Sequence, residues 1–211
     1  MSSEPSFSSE LPEILRACLR EEQVTRLQHY AQLLREANLF INLISRKDIQ
    51  WVWGHHIVPS LLFLGWWRLP EPGPVLDLGT GGGLPGIPLA IAHPRTKFVL
   101  IDSTRKKVAA VSSMLDRLGM TSQVEVKWGR AEELRERFPV IVGRAVAALP
   151  QFLIWASRCL LPQGIVYYYT GEPYDSLPKG WVGEFHAFRE LLPENDYLAS
   201  KGILRLWRSS R

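Results

Sequence analysis

Between Val75 and Gly86 the chain reads Val-Leu-Asp-Leu-Gly-Thr-Gly-Gly-Gly-Leu-Pro-Gly. A short apolar run stops, four glycines follow within five positions, and an apolar stretch then runs from Leu84 to Ala92. This order predicts a buried strand, a tight turn and a helix. Glycine lets the main chain turn sharply and lets a ligand reach the backbone. The first N–H groups of a helix lack internal partners, so they face whatever lies in the turn. A strand, a glycine loop and a helix in this order open an α/β fold built on a parallel sheet.

The downstream texture repeats that unit. Strands are expected at Phe98–Ile101, ended by Asp102, and at Val124–Trp128, Val140–Val142 and Ile165–Tyr169. Helices are expected at Arg105–Leu118, Ala131–Arg137 and Leu149–Leu161. Strands alternating with helices form βαβ units and a parallel, twisted sheet with helices on both faces. Phe185–Phe188 and Ile203–Trp207 read as an antiparallel closing pair. The fold class is therefore α/β and Rossmann-like.

Upstream the period changes. Val24, Leu27, Ala31, Leu34 and Ile41 recur at helical steps within Glu21–Ser45, with a gap at Asn38. Leu11–Leu19 reads as a shorter helix, and Asp48 as the N-cap of a third helix running from Ile49 to about Trp53 or beyond. Residues 1–9 are serine-rich and expected to fray. The run Leu69–Pro74, with three prolines and a glycine, divides a helical N-terminal subdomain (1–70) from the α/β domain (71–211).

Composition sets the class. Apolar residues make up 46% and charged residues 22%, as in globular proteins. The net charge of +4 suits a nucleic-acid partner and equally suits an ordinary basic enzyme. Cys18 and Cys159, each beside a leucine, give no metal or disulfide pattern and read as reduced core thiols of a cytoplasmic protein. The first twenty residues lack the pattern of a secretory signal, and no apolar window is long enough for a membrane span.

Gly81, Gly83 and Gly86 satisfy G-x-G-x-x-G, which nicotinamide enzymes also carry. Asp77, two residues before Gly79, extends it to D-x-G-x-G-x-G, the pattern that methyltransferases resemble most. Asp102 ends the second strand, 23 residues after Gly79, where an acid in Rossmann-like sheets accepts from the ribose hydroxyls of a bound nucleoside. Its alternative role is a cap before Arg105. Ala131 and Glu132 follow the third strand, where such folds meet adenine; Glu132 equally suits a first-turn acid.

With these residues in place the chain resembles one family, the glucose-inhibited division protein B family of small-subunit (16S) ribosomal RNA guanine-N7 methyltransferases. The matching stretches are Ile41–Asp48, His55-His56-Ile57, Val75–Pro88, Asp102-Ser103, Arg130-Ala131-Glu132 and Gly143–Pro150. They cover Ile41 to Phe152, just over half of the chain. The resemblance implies S-adenosyl-L-methionine as cofactor, no metal, and a site of Asp77, Gly79, Gly81, Leu84, Asp102, Ser103, Ala131, Glu132 and Arg144, with Arg144 as the candidate catalytic residue. It implies ribosomal RNA of the small subunit as partner and a monomer off the membrane. One departure stands out: where the family usually has Lys-Gly after the fifth strand, this chain has Thr170-Gly171.

Guanine N7 has a lone pair and no proton, so no general base is needed, and alignment of the reacting atoms becomes the main task. Arg46, Lys47, Arg105, Lys106 and Lys107 are candidate phosphate contacts. His55 and His56 either line the pocket mouth or pack between helix and sheet, and the eight tryptophans offer packing or base stacking. The competing readings are a methyltransferase of another RNA base or a small molecule, an RNA-binding module that retains the loop, and a nicotinamide oxidoreductase.

Overall fold

A computed structural model describes residues 11–71, 73–171, 174 and 176–209. The serine-rich residues 1–9 lie outside the described residues. Five parallel strands are β1 (Val75–Leu78), β2 (Phe98–Asp102), β3 (Val124–Trp128), β4 (Phe138–Arg144) and β5 (Leu160–Thr170). An antiparallel pair, β6 (Trp181–Ala187) and β7 (Gly202–Arg208), closes the edge beyond β5. The seven strands run in the order β3-β2-β1-β4-β5-β7-β6.

Alternation along the strands sorts the core into two layers. Val75, Phe98, Leu100, Val140 and Val142 face a layer with α4 (Gly86–Ala92) and α5 (Arg105–Leu118). Leu76, Leu78, Val99, Ile101 and Ile141 face the other layer, which holds α6 (Leu149–Cys159). Helices therefore cover both faces, as the alternating pattern predicts. Order reverses at β1, since β2 lies on one side and β4 on the other. In open α/β sheets that reversal leaves a crevice at the carboxyl ends of the strands.

The N-terminal helices join the first layer. The expected helix Leu11–Leu19 is a single turn, α1 (Glu13–Arg16), and α2 spans Glu21–Asn38. Leu27, Tyr30, Ala31 and Leu34 are buried in the same cluster as the sheet residues. The gap in the apolar period has a use: buried Asn38 accepts the N–H groups of Leu43 and Ile44 at 2.9 Å each, turning the chain back toward the sheet.

The stretch after Asp48 is helical but irregular. A 3-10 turn (Ile49–Trp51) passes into a π segment (Val52–Ile57), then α3 (Val58–Leu61) and a 3-10 turn (Leu62–Gly65). Asp48 occupies the N-cap position, but its side chain makes no cap bond. Its carboxylate goes to His55 and His56 instead, because imidazole nitrogens within reach compete with backbone N–H groups for it.

Three further expectations shift. The helix expected at Ala131–Arg137 is one 3-10 turn, Ala131–Glu133. Strands β4 and β5 start earlier than the apolar runs suggest, with a register irregularity between Phe138 and Val140. Cys159 is buried as expected, whereas Cys18 sits half-buried at the margin, its sulfur 3.5 Å from Arg68 Nη2. Among the described residues no helix is long and apolar enough to cross a membrane.

Candidate active site

The glycine loop is held from three sides. Its entry is pinned to the next strand, since the Gly79 and Thr80 N–H groups donate to Ile101 O at 2.9 and 3.0 Å. From below, Asp77 Oδ2 accepts from Thr80 Oγ1 at 2.7 Å and from the Gly86 N–H at 2.9 Å. From α2, the buried Tyr30 hydroxyl donates to Gly82 O at 2.9 Å. Gly79 has a φ of +78°, and a Cβ there would run into Val146 Cγ1, so two independent reasons require glycine. Gly81 has a φ of +57° with open space around its Cα, as suits a backbone that a ligand touches.

Asp77 is fully buried and lines no part of the crevice; it organises the loop beneath it. Burial pushes its carboxyl up to about 7, against the hydrogen bonds from Thr80 and Gly86 and with the charge of Asp102 adding to the rise. Its Oδ1 is buried and has no partner among the described residues. A protonated Oδ1 would remove the charge from that position.

The crevice consists of two adjoining cavities that share Gly79, Asp102, Ser103 and Val146. The larger, about 420 Å³, is bounded by the glycine loop with Leu84, by Leu43 and Ile44 below α2, and by Arg144. The smaller, about 240 Å³, lies between Ile101, Ala131, Glu132 and Trp155. Asp102 stands on the partition and its side chain is already oriented: Oδ2 accepts the Gly81 N–H at 3.0 Å and Oδ1 the Thr104 N–H at 2.8 Å. It thus ties the loop to the end of β2 and also turns the chain ahead of α5, where Thr104 and not Asp102 holds the N-cap position and no side chain caps the helix. Each carboxylate oxygen keeps lone-pair capacity for a further donor.

Arg144, at the end of β4, reaches back across the sheet to the π segment. Its Nη1 donates to His56 O at 3.2 Å, and its Nη2 to His55 O at 2.8 Å and His56 Nδ1 at 3.0 Å. A guanidinium has only donors, so His56 Nδ1 is the acceptor and the ring proton sits on Nε2, facing Asp48. Burial lowers the His56 pKa to about 4, with the Arg144 charge lowering it further and Asp48 opposing. Burial raises Asp48, but its hydrogen bond to His55 and the contacts with His56 bring it below the ordinary carboxylate value. Asp48, His56 and Arg144 form one chain of hydrogen bonds along the wall of the larger cavity.

Of the residues expected at the site, Gly79, Gly81, Leu84, Asp102, Ser103, Ala131, Glu132 and Arg144 line this crevice and Asp77 lies beneath it. Lys107 of the basic run lines the larger cavity, whereas Arg105 is exposed and stacks over Trp128 at 3.9 Å. Trp128 is itself 54% exposed. Arg46 and Lys47 are exposed on the loop after α2. His55 packs face to face with Tyr197, ring centroids 3.4 Å apart. Sequence reasoning overlooked Thr80, Val146 and the lining role of Leu43 and Ile44.

Solved structures share this architecture. A methyltransferase from Thiobacillus denitrificans in complex with S-adenosyl-L-homocysteine superposes with a TM-score of 0.52 at 15% identity, covering 84% of this chain and 97% of that one. A precorrin-6y C5,15-methyltransferase from Geobacter metallireducens gives 0.53 at 13% identity, covering 79% and 90%. At such identities the likeness is one of fold. Sequence relatives are nearer. The ribosomal RNA small subunit methyltransferase G of Chlorobium limicola is 46% identical over 69% of this chain and 66% of its own length. The protein of that name from Christiangramia forsetii is 33% identical over 89% of this chain and 92% of its own. The family profile described as GidB, rRNA small subunit methyltransferase G, matches residues 23–176, and with that span and those relatives the chain belongs to this family.

Proposed function

We propose that this chain transfers a methyl group from S-adenosyl-L-methionine to N7 of a guanine in small-subunit ribosomal RNA, as a cytoplasmic monomer. The observation that carries the reading is the pair of adjoining cavities with Asp102 on their partition. One chamber suits an adenine between Ile101, Ala131 and Trp155, the partition suits its ribose, and the other chamber suits an amino-acid tail against the bare backbone of the glycine loop. Residues 71–211 then form the catalytic domain, and the N-terminal subdomain (1–70) contributes Leu43, Ile44, Asp48 and His56 to the wall of the larger chamber.

When bound, the cofactor supplies an electrophilic methyl group on sulfur. The N7 lone pair forms the new bond as the sulfur–methyl bond breaks, and the positive charge passes from sulfur to the base. The protein has no proton to remove at N7. The acids at the larger chamber are engaged otherwise, Asp48 with two histidines and Asp102 with two backbone N–H groups. What the chain's residues supply is position. Asp102 holds the nucleoside end, the glycine backbone the tail, and Arg144, braced on the π segment, the wall where a base would enter.

The test is incubation of the purified protein with labelled cofactor and small subunits, or their RNA, from a strain lacking the gene. One 7-methylguanine at a single position is expected. Label on another base, or none, overturns the reading. Separately, Asp102→Ala is expected to weaken S-adenosyl-L-homocysteine binding by about 1 to 3 kcal/mol, because charge-assisted bonds to ribose are lost and the Gly81 N–H loses its acceptor. Titration calorimetry checks it, and unchanged affinity would leave Asp102 a purely structural tie.

A further inference from the structure

A third cavity, about 270 Å³, opens on the far side of Arg144, which with Ala145 lines both it and the larger cofactor chamber. Its walls include Pro59, Tyr168, Tyr169 and Phe188, and Lys201 also lines it. The aromatic polar ends are already used: the Tyr168 hydroxyl donates to Ala147 O at 2.6 Å and that of Tyr169 to Ser60 O at 2.9 Å. Two cations also line the cavity. Arg144 keeps its Nε–H and one Nη1–H after its bonds to the π segment. Lys201 Nζ donates to Tyr197 O at 2.6 Å and sits 3.1 Å from the Tyr197 ring centroid, which fixes it in place. Neither cation is paired with a carboxylate among the described residues. Tyr197 is in turn stacked on His55, so the ammonium is braced on the same network as Arg144.

Lys201 comes from the closing strand pair. Gly202 is the register partner of Thr170, so the lysine immediately before it arrives beside the end of β5, where the chain has threonine. Largely aromatic walls with two cations and no carboxylate in the lining suit a planar ring that presents acceptors. Guanine presents two on one edge, N7 and O6, whereas adenine has an amine in place of O6. For methyl transfer N7 must face the cofactor chamber, on the Arg144 side, which leaves O6 as the neighbouring acceptor.

Resting on the function proposed above, we infer that this third cavity seats the target base and that Lys201 donates to guanine O6, making it the residue that distinguishes guanine from adenine. The ring gains positive charge as the methyl arrives, so the ammonium's work is recognition and not charge stabilisation. Burial lowers the Lys201 pKa and the neighbouring Arg144 charge lowers it further, with Asp48 opposing.

The experiment uses small-subunit RNA carrying guanosine, inosine or 2-aminopurine ribonucleoside at the position the native protein methylates. Inosine keeps O6 and N7 and lacks the exocyclic amine; 2-aminopurine keeps N7 and lacks O6. Single-turnover rates at saturating RNA should be similar for guanosine and inosine, and roughly ten- to a hundredfold lower for 2-aminopurine. In Lys201→Met the guanosine rate should fall to the 2-aminopurine level, and loss of O6 should cost nothing more. Lys201→Leu, which has no donor for O6, serves as the variant if the methionine protein misfolds, with S-adenosyl-L-homocysteine affinity as the check on the fold. A 2-aminopurine penalty that persists at its native size in both variants overturns the inference. So does a variant with intact saturating rates whose salt dependence of RNA binding flattens by about one ion, since Lys201 would then be a phosphate contact. A native protein that does not methylate guanosine at N7 overturns the function itself, so the two failures are distinguishable.

Discussion

Arg144→Lys is expected to lower single-turnover methyl transfer about a hundredfold or more while the protein stays folded, the cost typical of a reacting group displaced by about 1 Å. Arg144 spans two acceptor carbonyls and the His56 ring with a planar fork. One ammonium cannot reproduce the planar fork across all of these acceptors, and it cannot fix the plane of the wall between the larger chamber and the neighbouring cavity. Arg144→Ala should lose at least as much activity and also some stability, about 1 to 3 kcal/mol, because carbonyls and the His56 ring nitrogen are left without their donor. Denaturation midpoints measured beside the rates separate the two effects. A lysine variant with near-native turnover would reduce Arg144 to a positive charge, and an alanine variant that unfolds would make it a structural brace alone.

The second large effect concerns Asp77 and pH. Its folded value near 7, against an ordinary 3.8, means that the native state holds a proton which the unfolded chain has released. The stabilisation is complete below the unfolded value and is lost as pH rises through the folded one. Across that window it amounts to about 4 kcal/mol, a large part of the stability of a typical domain. His56 acts in the opposite sense, since its value near 4 lies below the ordinary 6.5, so its contribution is present at higher pH and lost on acidification. The two partly cancel in the native protein. Asp77→Asn keeps a neutral acceptor for Thr80 and Gly86 and leaves His56 alone. The stability of the native protein relative to this variant should therefore fall by up to about 4 kcal/mol between pH 4 and 7. Urea midpoints measured across that range test it, and a flat difference would mean that Asp77 ionises like an ordinary carboxylate.

Much of this architecture was legible because local pattern and tertiary environment agree. Val75–Leu78, Val124–Trp128 and Arg105–Leu118 begin and end where apolar period and flanking residues place them, and Gly119 closes the last with a left-handed φ of +66°. The placement of the glycine loop and of Asp102 at the crevice was readable because it depends on short spacings along the chain. What escaped depends on contacts between distant segments. Residues 134–137 are charged helix formers apart from Leu134, yet the chain there is not helical and leads straight into β4. Leu160–Gly164 joins β5 through a proline and a glycine that sequence reasoning takes for a break. Asp48 has the chemistry of a cap, and only the π segment reveals that two histidines reach it. Lys201 has no local signature: its place beside the end of β5 follows from the antiparallel register of β7.

The bond from Tyr30 in α2 to the Gly82 carbonyl, with Asn38 holding Leu43 and Ile44 against the same chamber, has a thermodynamic consequence. Docking of α2 is one of the three restraints that shape the loop, so loop shape and helix docking are linked. A nucleoside that prefers the shaped loop must stabilise the docked helix, and by reciprocity anything that anchors the helix must tighten the nucleoside by the same factor. RNA that grips the exposed Arg46-Lys47 stretch after α2 would then raise cofactor affinity with no contact to the cofactor, and loss of the methyl donor would loosen the grip on RNA.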